Sequence, residues 1–184
     1  MEAGSVSQDE GLNRWLERLA EGDPSALEGL YDDAGPQLYR YALGMLRRPE
    51  AAEDAVQEVF VSLARARGKL GKVRSARAYL FAALRHAIWK RLRREAAGLS
   101  SVEPAAIFER PQPPGLPEGA ASDIESALVQ LPAEQREAIM LKVYQDMTFA
   151  EIAAVTGVSL NTAASRYRYA LDKLRTLLPE DLLQ

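Results

Sequence analysis

The chain has 184 residues, 47% of them hydrophobic, enough apolar material for one ordinary domain or two small helical ones. It holds no cysteine and a single histidine, His86, which excludes disulfides and thiolate metal sites and leaves no ligand cluster, so no metal or cofactor is expected. The formal net charge is -3; no apolar run approaches the ~20 residues that span a bilayer, and the polar, acidic start does not resemble a signal peptide, so a cytoplasmic protein without membrane insertion is expected.

Asp23 and Pro24 offer an N-cap and a first-turn proline, and Ala26, Leu27, Leu30 and Tyr31 follow at helical spacing, which predicts a helix start. Gly35 and Pro36 are expected to interrupt it. A second run with Leu38, Tyr41, Ala42, Met45 and Leu46 reaches Arg48 before Pro49 restarts the chain. Residues 49–67 form the next predicted helix, with Ala52, Val56, Val59, Phe60 and Leu63 on its apolar face and Glu50, Asp54, Gln57 and Glu58 toward solvent or a partner. Residues 68–74 read as a basic loop carrying Lys69, Lys72 and Arg74. Ser75 can cap a last helix whose core face is Leu80, Ala83, Leu84, Ala87, Ile88 and Leu92.

Charge is segregated along this part of the chain. Residues 65–94 contain eleven Lys or Arg and no Asp or Glu, the footprint of a polyanion partner, and the acidic stretch Glu50, Glu53, Asp54 and Glu58 directly before them faces a partner of another kind. On the last helix Arg77, Phe81, Arg85, Trp89 and Arg93 recur every four residues. Arginines neutralise phosphate, and an aromatic face stacks on a base taken out of the duplex, worth about 1–3 kcal/mol per base. Phe81 and Trp89 have the alternative of packing against neighbouring helices.

Five of the ten prolines (104, 111, 113, 114 and 117) fall between residues 96 and 122, with Gly98, Gly115 and Gly119. Such a segment sustains neither helix nor strand ladders, so it reads as a flexible linker between folded parts at about 10–95 and 123–178. No internal repeat and no β signal is present, and the predicted fold class is all-α, two small helical domains joined by that linker.

Residues 148–169 of the second part carry a helix-turn-helix pattern. Thr148 and Glu151 form a capping box, Ile152 and Val155 point inward, Gly157 permits the tight turn, and Ser159 caps the second helix. Leu160, Ala163, Ala170, Leu171 and Leu174 can then face the core, leaving Ser159, Asn161, Thr162, Ser165, Arg166, Arg168 and Tyr169 for a major groove. Upstream, the run beginning Leu131-Pro132-Ala133-Glu134 starts another supporting helix.

With these pieces in this order the chain resembles the extracytoplasmic-function sigma factors of bacterial RNA polymerase. The most specific stretches are Ala51-Ala-Glu-Asp-Ala-Val-Gln-Glu-Val-Phe, Ala78-Tyr-Leu-Phe-Ala-Ala-Leu-Arg-His-Ala, and Leu131-Pro-Ala-Glu-Gln-Arg-Glu-Ala with the helix-turn-helix after it. The resemblance implies that Asp54, Gln57, Glu58 and Phe60 dock on the β′ clamp helices of core RNA polymerase, and it adds the β flap as a second contact. It implies that Lys69, Lys72, Arg74, Arg77, Phe81, Arg85, His86, Trp89, Lys90 and Arg93 bind and melt the minus-ten promoter element, and that the helix-turn-helix reads the minus-thirty-five element. An anti-sigma factor is a further partner such a family admits. Three positions depart from the usual pattern: His86 stands where Asn is common, Lys90 where Asp is common, and Ala164 where a basic residue is common, so no promoter sequence carries over.

The expected activity is non-covalent: promoter recognition and melting within the polymerase holoenzyme, with no catalysis by this chain. Two alternatives are a sigma-like adaptor that binds a regulator and a stand-alone helix-turn-helix regulator that forms no holoenzyme. The first predicts a degraded basic helix, and the second leaves the acidic helix unexplained. An enzyme finds no support in the sequence, which has neither a phosphate-binding glycine loop nor a Ser-His-Asp arrangement.

Overall fold

The structure, a computed structural model, describes residues 3–98 and 119–179, and every regular element among them is helical. The chain divides into two compact units, one holding α1 to α4 and the other α5, α6, α8 and the larger part of α7.

The first unit opens with a helix that the sequence reading did not anticipate, α1 (Ala3–Ala20). Leu12, Leu16 and Leu19, on one face at helical spacing, are buried. Its approach to α2 (Ala26–Leu46) requires a glycine: a Cβ on Gly29 would come within 2.6 Å of the Trp15 ring. Trp15 Nε1–H donates to Asp33 Oδ2 at 2.8 Å, so the indole is held at both its face and its polar edge.

The start and the middle of α2 correct the sequence reading. Asp23 does not cap the helix: its Oδ1 accepts the Ser25 N–H and hydroxyl at 2.9 and 2.7 Å, and Oδ2 holds Arg18 at 2.6 Å, so the carboxylate closes the turn before α2. Gly35 and Pro36 do not interrupt α2, which runs through Pro36 to Leu46. Pro36 removes one ladder hydrogen bond, but the helix buries Leu30, Leu38, Tyr41, Ala42, Met45 and Leu46, and burial outweighs that local loss. Arg47, in the left-handed region at φ 59°, ends the helix and donates its N–H to the Leu43 carbonyl.

The next helix, α3 (Pro49–Ala66), buries Ala52, Val56, Val59, Phe60 and Leu63, as the apolar spacing predicts. A 3-10 helix over Arg67–Lys72 replaces the expected loop and buries Leu70. Then α4 (Ala76–Ala96) starts with Ser75 Oγ accepting the Ala78 N–H at 3.1 Å. Leu80, Leu84, Ala87 and Ile88 are buried on its core face, and Ala83 and Leu92 are half-buried.

In the second unit, α5 (Ala120–Val129) and α6 (Ala133–Ile139) precede α7 (Phe149–Thr156) and α8 (Leu160–Leu177). A π-helical turn, Met140–Tyr144, extends α6. The core gathers Leu128, Leu131, Ile139 and Ala170, with Tyr144, Tyr167, Leu171 and Leu174 packed against it. Leu160 is not part of it. As the first residue of α8 it has no preceding turn to pack beneath it, and it is 52% exposed. Of the segment expected to be a linker, Ala96 closes α4 and residues 120–122 belong to α5; residues 99–118 lie outside the described residues.

Candidate functional site

The acidic surface lies on α3. Glu53, Asp54 and Gln57 are exposed there, at spacings that put them on the side opposite Ala52, Val56 and Val59. Phe60, expected to dock, is only 7% exposed and meets the ring of Tyr31 edge-on at 5.1 Å. Tyr31, one of the residues whose spacing marks the helix start, carries the exposure instead. It lines a cleft of about 360 Å³ with Pro36, Tyr39, Glu53, Val56 and Gln57. Burial, and then the charges of Glu53 and Glu50, push the Tyr39 hydroxyl above its ordinary range, so it remains a protonated donor beside the acidic stretch. The π-faces of Tyr31 and Tyr39 are the part of this surface that charge patterning alone could not find.

Glu58 also differs from expectation. Its Oε2 accepts from Arg91 Nη1 at 2.8 Å and its Oε1 from Lys90 Nζ at 3.4 Å, so the carboxylate is closed onto α4. Partial burial raises its carboxyl, but the hydrogen bond from Arg91 and the charges of Arg91 and Lys90 outweigh that and hold it below the usual range. Arg48 and Glu95 add a second tie between the helices at 3.3 Å.

The cation and ring stripe of α4 divides in two. Its first half turns inward: Arg77 is 7% exposed, with Nε 3.8 Å from Asp9 Oδ1, and Phe81 is 2% exposed, packed on the ring of Tyr41 at 5.6 Å. The packing alternative therefore holds for Phe81, and Phe81 and Arg77 are not surface contacts for DNA. The run of cations without acids in sequence is partly balanced in space by Asp9 and Glu58. The second half stays accessible. Arg85 lies over the half-buried Trp89 ring at 5.3 Å, and His86, Lys90, Arg93 and Arg94 are exposed. So are Lys69, Lys72 and Arg74 on the turn before α4.

In the second unit the helix-turn-helix closes as its residues dictate. Glu151 N–H donates to Thr148 Oγ1 at 3.3 Å, Thr148 N–H donates to Glu151 Oε2 at 2.7 Å, and Gly157 turns the chain at φ 71°. Ser159 Oγ accepts the Thr162 N–H at 3.1 Å and shares a hydrogen bond with the Thr162 hydroxyl at 2.8 Å, so both side chains serve the helix start. Asn161, Arg168 and Tyr169 are exposed, Ser165 and Arg166 half-buried, and the Arg168 guanidinium stands 5.3 Å over the Tyr169 ring. Asn161, Ser165 and Arg168 line a cleft of about 750 Å³ beside α8, together with Phe149, Asp172 and Arg175.

Residues 30–98 match the sigma-70 region 2 family, and residues 121–174 match sigma-70 region 4. The ECF RNA polymerase sigma factor SigL of Mycobacterium tuberculosis is 33% identical over 167 residues, which cover 88% of this chain and 93% of that protein. RNA polymerase sigma factor CarQ of Myxococcus xanthus is 29% identical over 167 residues, covering 90% and 96%. Among solved structures, the sigma factor RpoE, co-crystallised with the anti-sigma factor NepR from Bartonella quintana, superposes with a TM-score of 0.68 at 25% identity, covering 82% of this chain and 94% of that one. The structure of CnrH in complex with the cytosolic domain of CnrY shares the fold, with a TM-score of 0.67 at 24% identity, over 92% and 96%. This chain therefore belongs to the ECF sigma factors of the sigma-70 family, which direct RNA polymerase to specific promoters.

Proposed function

We propose that the two units divide the work of promoter opening. Region 2, about residues 10–95, docks on the β′ clamp helices of core polymerase through Glu53, Asp54, Gln57 and the cleft of Tyr31 and Tyr39. It takes up melted minus-ten bases beside Trp89. Region 4, about residues 123–178, reads duplex DNA at the minus-thirty-five element through Asn161, Ser165 and Arg168 and meets the β flap. The chain acts by binding alone, in the cytoplasm where polymerase and promoter DNA meet, and bond-making stays with the polymerase. No described helix is long and apolar enough to cross a membrane.

The observation that carries this reading is the separation of charge on adjacent helices. Exposed acids occupy α3, and exposed cations with the half-buried Trp89 occupy the second half of α4. A duplex binder has use for the cations but not for an accessible ring flanked by them. Run-off transcription with purified core polymerase tests it: transcripts from a specific start that require this chain support the reading, and DNA binding without transcripts favours a stand-alone regulator. The relative RpoE is held by an anti-sigma factor; on this chain the α3 surface with the Tyr31 cleft is where such a partner would compete with polymerase.

A further inference from the structure

The first turn of α4 is held from outside its own segment. A helix start leaves its first backbone N–H groups without intrahelical acceptors. Ser75 Oγ serves Ala78, but the Ala76 N–H donates to Asn13 Oδ1 on α1, at 2.7 Å and across 63 positions of sequence. Ala76 is 0% exposed, so water has no path to replace that acceptor. The next residue, Arg77, is tied to α1 as well, through Asp9. Directly upstream, the 3-10 turn packs against α1 and anchors itself through Leu70, which is 2% exposed, while a Cβ added at Gly68 or Gly71 in the same turn would meet nothing within 4 Å. The exposed Lys69, Lys72 and Arg74 thus stand on a short segment that packs on α1 and, less extensively, on α3, while α1 also holds the start of α4.

We propose that Asn13 is a positioning residue for promoter melting: by holding the Ala76 N–H it fixes the basic turn against the start of α4, and so fixes the cations of the turn relative to the Trp89 end of that helix. This rests on the assignment of residues 69–93 to melted DNA. Asn13 itself touches no nucleic acid in this mechanism. Its substitution should therefore change how fast a bound promoter opens, and leave unchanged how tightly the chain binds core polymerase.

The test uses the full chain assembled with core polymerase on a promoter, following permanganate reactivity of thymines at saturating holoenzyme and at a temperature where each variant is folded by circular dichroism. Asn13→Leu, similar in size but without an acceptor, should slow opening by about two- to thirty-fold, the span corresponding to the loss of one helix cap. Asn13→Asp keeps the acceptor and should open at close to the wild-type rate. Core affinity should be equal in all three. If Asn13→Leu does not fold, Asn13→Ala, which removes the acceptor without adding bulk, takes its place with the same expected direction of effect. A variant lacking the acceptor that melts at lower temperature yet opens promoters at the wild-type rate overturns the proposal, as does Asn13→Asp opening as slowly as Asn13→Leu. Lys72→Ala with Arg74→Ala separates the two levels. If this pair leaves opening untouched, the assignment of the turn to DNA has failed; if the pair slows opening and the Asn13 variants do not, only the positioning role has.

Discussion

Arg91 Nη1 lies 2.8 Å from Glu58 Oε2, which joins the helix bearing the acidic surface to the helix bearing the cations. Two carboxylates one helical turn apart, Asp54 and Glu58, thereby acquire different work. Asp54 is exposed, while Glu58 faces α4. Charge reversal at Asp54 is expected to weaken binding to core polymerase with little change in thermal stability. Reversal at Glu58 is expected to lower stability as well, because it sets a cation against Arg91 and Lys90. Fluorescence-detected core binding and thermal melting, measured on both variants, distinguish the two.

The same pair makes part of the stability of the first unit pH-dependent. The Glu58 carboxyl is held below its ordinary range in the folded state, so the stabilisation is complete above the unfolded carboxylate range and fades as pH falls through the depressed folded value. With 41% of the side chain exposed, solvent screening limits the contribution to about 1 kcal/mol or less. Glu58→Gln should therefore be less stable than wild type at neutral pH, with the difference shrinking in acid. Urea unfolding as a function of pH measures it, and a constant difference across the range would mean that packing, and not charge, is lost.

Phe81 and Trp89, two turns apart on α4, are expected to separate under truncation. Phe81→Ala removes a buried ring packed on Tyr41 and should cost about 3–5 kcal/mol of stability. Trp89→Ala should leave the unit folded and lower open-complex formation while closed-complex binding persists. Thermal melting and permanganate reactivity on the same preparations check both. Unimpaired opening in Trp89→Ala would remove this ring from base capture.

The contrast between those rings also marks what the sequence makes legible. Ser75, Thr148, Glu151, Gly157 and Ser159 act through neighbours within a few residues, so their caps and turn follow from local chemistry and are found where expected. Phe81 and Trp89 stand at the same spacing between arginines four residues away, and the buried one, Phe81, packs on Tyr41, forty residues earlier in the chain. Pro36 misleads for the same reason, since the packing that carries α2 through it comes from other helices. The acids balancing Arg77 and Arg91 lie on α1 and α3, outside the basic run. The omission of α1 is of another kind: Leu12, Leu16 and Leu19 repeat at helical spacing and could have disclosed it.

Gly157 links the two helices of the helix-turn-helix at φ 71°, where a side chain is strained although nothing lies within 4 Å of an added Cβ. Gly157→Ala should therefore destabilise the second unit by about 1–2 kcal/mol through backbone strain alone. Affinity for duplex promoter DNA should fall in proportion to the folded fraction. Melting curves with and without DNA provide the measurement, and an unchanged melting temperature would show that the turn relaxes at no cost.

Arg93 and Lys90 are both exposed cations on α4, but of the two only Lys90 has an acid partner among the described residues, Glu58 Oε1 at 3.4 Å. A free cation that neutralises a phosphate releases about one counterion, so Arg93→Ala should reduce the slope of log affinity against log salt by about 0.9. Lys90 gives up its contact with Glu58 to reach DNA, and its phosphate contact is correspondingly weaker, so Lys90→Ala should reduce the slope less. Removing Glu58 alters that balance: in a Glu58→Gln background, Lys90→Ala should approach the effect of Arg93→Ala. Holoenzyme titrations of one promoter at several salt concentrations read all three slopes. Equal slopes for the two single variants in the wild-type background would show that the Glu58 pair does not restrain Lys90 when DNA is bound.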